Sequence, residues 1–368
     1  MTLSRPPGRG PNGALRRLLA EALARGLGRR VTAAAPTRDP VTVDAPPGGP
    51  IAPTAPPRGT GRARAHPSTP APDAEAMVRA FATIDDGFGG GHSRVALAAY
   101  LARDIAPRLG DIGAGGAARS GLWSAATRLT YRCGFMCFDE ELPDLAQRYY
   151  RVALDLASAA GDAAARAVVL RTMSNQARLL GHRRRAVHLA EAAVVTGGRA
   201  VPPARSAFLL GQVAVASAAA GDRTNAVSSL SAAERQLSRA TSQSAAEDAA
   251  MGGYHLAALW HQQAAVRALL GDRAGAVSAL AVSLAHRPAQ ERRSRTITRA
   301  RLAELQLAQG EVEQAVGTWH AFLDDYRHLR SARATTALRT LRSRLAPHAA
   351  DRDVAGLLAR AGAESRPR

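Results

Sequence analysis

The stretch GDRTNAV at residues 221–227 returns as GDRAGAV at 271–277, with only two letters changed. Either a Gly-Asp-Arg loop holds a ligand twice, or a structural unit repeats about its own hinge. The same Gly-x4-Ala-Val frame recurs as GHRRRAV from 181 and GEVEQAV from 310, and a weaker copy, ELPDLAQ, begins at Glu141 with the glycine and valine lost. Successive starts are 40, 40, 50 and 39 residues apart, a period that suits paired helices stacked as a solenoid.

Other positions keep step with these turns. Seven residues before them stand Gly134, Ser174, Ala214, Ala264 and Ala303, all small, and five after stand Ala146, Ala186, Ala226, Ala276 and Ala315. Nine after stand Tyr150, Ala190, Leu230, Leu280 and Trp319, and twelve after stand Ala153, Ala193, Ala233, Ser283 and Phe322. Small residues let one helix lie close against the next. A glycine supplies the positive φ that ends a helix, and Asp222 or Asp272 is placed to cap the helix that follows. No strand precedes these loops and no Gly-Lys-Ser/Thr follows, so phosphate cradling is disfavoured and the hinge reading stands.

From residue 74 onward apolar residues recur three and four apart, with no convincing period-two strand. The expected fold is therefore all-α: an α-solenoid of antiparallel helix pairs over 73–348, followed by a C-terminal helix and tail over 349–368. Residues 33–72 carry eleven prolines and few large apolar residues, a composition that predicts a disordered linker. Ahead of it, residues 12–30 form a short amphipathic helix within a basic segment, 1–32.

The chain has 368 residues, a net charge of +19 and no lysine, so all 49 basic residues are arginine. Arginine and alanine abundance is also what a GC-rich genome writes, so charge suggests a polyanionic partner without identifying one. Arg16, Arg17, Arg25, Arg29 and Arg30 are the candidates for non-specific nucleic-acid contact through the tail. Cys133 and Cys137 share a helical face without further metal ligands nearby and read as core residues. With no signal-like leader or membrane-length apolar run, the chain reads as soluble and cytoplasmic. The Gly-rich stretch GFGGGHSRVAL at 87–97 reads as a hinge between the first two helices. Dispersed histidines and the lack of any nucleophile or zinc signature give enzymatic activity no support, and no metal or other cofactor is expected.

The columns resemble the tetratricopeptide repeat, with Trp260 and Pro288 near the family's usual unit boundaries, over roughly 117–328. That resemblance implies a concave groove lined by the first helix of each pair. It places Arg171, Asn175 and Arg178 on one groove-facing side, with Tyr131 and Phe135 on the preceding pair and His261 further along. Arg171 followed by Asn175 is similar to the basic and amide clamp that some of these proteins close on a peptide carboxylate.

The segments LLAEALARGLGRRVT (18–32), FGGGHSRVALAAYL, LAQRYY, RTMSNQARLLGH and LRSARATTALRTLRSRLAPH together resemble actinobacterial transcriptional regulators that join a helix-turn-helix to a tetratricopeptide-like domain. In that family the first of these segments closes the DNA-binding module, and this chain begins only there, so the recognition helix is missing. The resemblance implies a non-enzymatic regulatory protein whose solenoid binds a protein or peptide partner. The alternative is a DNA-binding regulator whose reader is supplied by a partner or replaced by basic N-terminal contacts. Homo-oligomerisation is left open.

Overall fold

A computed structural model of the chain describes residues 10–20, 72–110, 116–199, 201–240 and 254–365. Among these, every regular element is helical. Helix α1 covers 11–20. Helices α2 (Pro72–Phe88) and α3 (Gly90–Tyr100) follow, and α3 continues through a π-helical turn, Leu101–Ile105, into Ala106–Arg108. Two pairs come next, α4 (Gly116–Asp139) with α5 (Pro143–Ala160) and α6 (Ala163–Leu179) with α7 (Arg183–Gly197). Then α8 (Pro203–Ala220) packs with α9 (Arg223–Ser238), α10 (Leu256–Leu269) with α11 (Arg273–Ala285), and α12 (Arg292–Leu307) with α13 (Val312–Tyr326). Helices α14 (Ala332–Leu345) and α15 (Arg352–Glu364) complete the array. The fold is a TPR-like α-solenoid.

The turns within the pairs behave as hinges. Gly181, Gly221, Gly271 and Gly310 all take the left-handed conformation, with φ between 83° and 91°. In the weakest copy the glycine is replaced by Glu141, which holds φ 53° and is the one non-glycine residue with positive φ among the described residues. Asp222 and Asp272 cap α9 and α11 by accepting from the backbone N–H of Asn225 and Gly275 at 3.0 and 2.8 Å. These carboxylates fill helix ends and are not free for a ligand.

The small-residue columns explain why the pairs can stack. Ala146, Ala186, Ala226, Ala276 and Ala315 are completely buried, as are Ala153, Ala193, Ala233, Ser283 and Phe322. Size is traded between columns: buried Tyr150 lies opposite Gly134, where an added Cβ would come within 2.8 Å of the Tyr150 ring. Packing at this density leaves no slack for an added methylene, which is why the columns are small and not merely apolar.

The array curls until its end meets its beginning. Helix α2 packs against both α4 and α12. The loop before α14 joins the α2–α3 turn through two backbone bonds: Arg330 N–H donates to Phe88 O at 2.8 Å and Gly91 N–H donates to Arg330 O at 2.9 Å. The Gly-rich stretch expected to be a hinge is also the seat of this junction. A Cβ on Gly89 would lie 2.6 Å from Arg330 O, and one on Gly90 would lie 2.6 Å from Met136 O. Side chains reinforce it, with Arg293 bonded to Asp86 at 2.8 Å, Ala332 N–H to Glu140 at 3.1 Å and Thr336 to Glu141 at 2.8 Å.

Both termini depart from the sequence expectation. Leu15, Leu18 and Leu19 of α1 are buried in one cluster with Val78, Phe81, Leu97 and Leu101. The described part of the N-terminal helix is therefore docked on α2 and α3, because its apolar stripe finds a matching face there. Its continuation beyond residue 20 and the expected linker lie outside the described residues. At the other end, α15 buries Val354, Leu357 and Ala361 in the cluster that holds Trp319 and Phe322. This C-terminal helix, expected to follow the repeat domain, packs against both α13 and α14. Cys133 and Cys137 are buried free thiols within the first core cluster.

Candidate functional site

Because successive pairs stack side by side, the first helix of each faces the concave side. Helices α4, α6, α8, α10 and α12, with α14 brought round by closure, line a single cavity of about 260 Å³. Five of the six groove residues named from the sequence meet there: Phe135, Arg171, Asn175, Arg178 and His261. Tyr131 does not line the cavity. It is buried, with its hydroxyl 3.2 Å from Thr172 Oγ1 and its ring centroid 6.4 Å from that of Phe135.

Among the described residues, the lining holds five arginines and no carboxylate. Two of the five are already engaged. Arg287 bonds Glu291 at 2.7 Å and also donates to Ser283 Oγ and Ala257 O at 3.0 and 3.2 Å. Arg293 bonds Asp86 at 2.8 Å, approaches Asp85 at 3.5 Å and lies over the Phe135 ring at 4.7 Å.

The other three, Arg171, Arg178 and Arg333, make no ion pair among the described residues. Arg171 lies over the Phe208 ring at 4.0 Å and Arg333 over the Phe138 ring at 4.9 Å. Arg178 donates to Asn175 Oδ1 at 3.1 Å, so Asn175 orients a cation. Stacking on an aromatic face fixes the plane of a guanidinium while leaving its N–H edge available. The buried Nε groups of Arg171 and Arg178 have no hydrogen-bond partner.

Burial, which disfavours the charged form, pushes Arg171 down to about 10 and also lowers Arg178 and Arg333. All three stay protonated near pH 7. His261 feels the same field: burial first, then Arg287, Arg333, Arg178 and Arg171, push its imidazole down to about 3. The ring is therefore neutral at pH 7, with Nδ1 3.1 Å from Thr298 Oγ1.

The floor is built for close approach. A Cβ on Gly211 would strike Gln262, whose Oε1 accepts from the Tyr254 hydroxyl at 2.6 Å. Gln212 donates to Ser174 Oγ at 3.0 Å, and Ser174 in turn donates to Ala186 O at 2.7 Å, tying the groove face to the small-residue columns behind it.

The sequence reading missed Phe208, Tyr254, Arg287, Arg293 and Arg333. Tyr131, Arg171 and His261 each stand ten residues before their turn, and Phe135 and Asn175 six before, so the repeat phase marks part of the groove. No such phase marks Arg333, which reaches the cavity only because the solenoid closes. Of the tail arginines, Arg16 donates from Nη2 to Ala106 O at 3.2 Å within the docked helix. Arg17 is exposed on the same helix, and Arg25, Arg29 and Arg30 lie outside the described residues.

Among the described residues, no group of His, Cys, Asp and Glu is arranged to hold a metal, and no helix is long and apolar enough to cross a membrane.

No family model matches the chain, and no curated protein matches it by sequence. Among solved structures, it is similar to a Rap protein complexed with competence and sporulation factor, at 13% identity and a TM-score of 0.48 over 79% of this chain and 86% of that one. It is also similar to the APC/C hetero-tetramer Cut9–Hcn1, at 14% identity and a TM-score of 0.37 over 78% of this chain. The chain spans 46% of the length of that second protein. At these levels of likeness, the detailed description of the fold rests on the chain's own helix pairing.

Proposed function

We propose that this protein is a non-enzymatic regulatory binding protein whose closed solenoid takes the anionic group of an extended protein or peptide segment into the concave cavity. The observation that carries this reading is the lining itself: five arginines, three of them unpaired, with aromatic side chains and no carboxylate among the described residues. Three half-buried cations without an ion-pair partner among the described residues are costly to the free protein, and an incoming anion relieves that cost. At about 260 Å³ the cavity falls just below the ~300 Å³ at which small-molecule sites usually begin, so it accepts one head group or side chain while the rest of the ligand lies outside.

A place in transcriptional or developmental regulation is supported by the sequence resemblance to helix-turn-helix and tetratricopeptide regulators. The binding reading is tested by anisotropy of labelled degenerate decapeptide pools, one with a central glutamate and one with a central arginine. The acidic pool should bind the full chain, Arg171→Gln should weaken it by tenfold or more, and the basic pool should not bind. Equal binding of the two pools, or unchanged affinity in the variant, would sink the assignment of this cavity.

A further inference from the structure

The charge balance of the cavity says more than that it is anionophilic. Every basic residue of this chain is an arginine, so the choice of arginine carries no information. What carries information is that three of them are left without an ion-paired carboxylate around one half-open cavity. Glu291 answers Arg287, and Asp85 and Asp86 answer Arg293. Nothing answers Arg171, Arg178 or Arg333 among the described residues, although Asp139 and Glu141 lie near enough to Arg333 to act on it through space.

A single carboxylate brings one negative charge and two acceptor oxygens to this site. It would leave about two cations unbalanced in a poorly solvated space. A phosphomonoester carries about −1.5 to −2 at pH 7 and three terminal oxygens, each able to accept from a guanidinium edge. Three donors, each held by a different support in one cavity, match three oxygens in number: Arg171 lies over Phe208, Arg333 over Phe138, and Arg178 is steadied by Asn175. They come from α6 and α14, so the complete set exists only in the closed solenoid.

We infer that this cavity is a receptor for a phosphomonoester group, with Arg171, Arg178 and Arg333 as its three cationic contacts. The inference deepens the peptide-binding reading and rests on it only for the source of the phosphoryl group: a phosphorylated side chain, in preference to a small phosphorylated metabolite. His261 is the built-in reporter. It lies in the field of the same three arginines, so a bound dianion raises its pKa from about 3 toward the ordinary range.

The test uses the full chain at constant ionic strength. Inorganic phosphate and acetate are titrated separately while NMR follows the ring carbons of His261, assigned by their loss in His261→Asn. Phosphate should perturb His261 saturably, with a midpoint at least tenfold below that of acetate. Arg171→Gln and Arg333→Gln should each raise the phosphate midpoint tenfold or more while retaining wild-type helicity, and Arg178→Gln serves where either fails to fold. In parallel, a decapeptide pool with central phosphoserine should bind at least tenfold tighter than its glutamate counterpart and be displaced by phosphate.

Equal responses to phosphate and acetate, equal affinities of the phosphoserine and glutamate pools, or a phosphate response that survives all three substitutions overturn the phosphoryl assignment. If the glutamate pool still binds in those cases, the peptide reading stands alone. Conversely, phosphate and O-phosphoserine that bind as tightly as the phosphoserine pool would keep the phosphoryl site and overturn the peptide source. Binding of none of these probes removes both.

Discussion

Arginines in two places on the inner face of this solenoid meet opposite fates. Around the α2–α12 junction, Arg132 and Arg293 converge on Asp85, which is fully buried, and on Asp86, with Arg132 to Asp85 at 3.1 Å and Arg293 to Asp86 at 2.8 Å. A short way along the groove, Arg171, Arg178 and Arg333 face a cavity with no acid in its lining. The first group is charge-compensated by the chain and ties the end of the array to its beginning. The second makes no ion pair among the described residues, Asp139 and Glu141 acting on Arg333 only through space, which leaves room for a counter-charge from outside. The local electrostatics follow the same division: the nearby carboxylates push Arg132 and Arg293 above the usual arginine value despite burial, while burial lowers Arg171, Arg178 and Arg333.

The largest expected effect lies at the compensated group. Asp85→Ala leaves two buried guanidinium groups short of a partner, and breaking a buried pair from one side typically costs about 3–5 kcal/mol. Urea unfolding of this variant should show a loss of that order, and a loss below about 1 kcal/mol would mean that the junction is not tied by this cluster.

A second substitution asks whether the packing behind both groups is as tight as the buried columns imply. Ala226→Arg places a long cation at a fully buried position and should cost on the order of 1–3 kcal/mol or more from overpacking alone. A thermal midpoint equal to the parent's would show that the repeat register is wrong.

The pH dependence separates the two groups by sign. Burial, outweighing Arg293 and Arg132, and assisted by Asp86 and Asp139, pushes Asp85 up to about 6. The folded chain therefore binds a proton between about pH 6 and 4 that the unfolded chain does not, and this group's contribution to stability rises as pH falls through that window. His261 is depressed to about 3, so between about pH 6.5 and 3 the unfolded chain binds the extra proton and stability falls on acidification. Between pH 7 and 5 each effect amounts to about 1 kcal/mol, allowing for the partial exposure of His261. Asp85→Asn should make the loss of stability on acidification steeper and His261→Asn should make it shallower. Identical profiles for the two variants would remove the distinction.

The smallest effect is the sharpest test of the comparison. Arg171→Gln and Arg333→Gln remove cations that make no ion pair among the described residues, so each should leave the thermal midpoint unchanged or raised while anion binding is lost. A loss of stability approaching that of Asp85→Ala would mean that these arginines are structural after all.

The legibility of the molecule divides along similar lines. The glycine turns, the alanine columns and the aspartate caps were all readable, because stacking imposes one steric demand at a fixed interval and the same small residues recur wherever it applies. Part of the groove was readable for the same reason: Tyr131, Arg171 and His261 share one repeat phase, as do Phe135 and Asn175, and all but Tyr131 line the cavity.

What the sequence by itself determined is therefore the unit, its turns and the face each first helix presents, since these follow from contacts between residues close along the chain or one period apart. Only the tertiary structure decided that the array closes. Closure depends on the accumulated curvature of the repeats, and it is fixed by pairs such as Asp85 with Arg293 and Phe88 with Arg330, more than two hundred residues apart. With closure came Arg333, and with Arg333 the third cation of a site that no local pattern could announce. The same reason explains α1 and α15. An amphipathic stripe states that a helix will bury one face, but the surface that receives it exists only after the rest of the chain has folded.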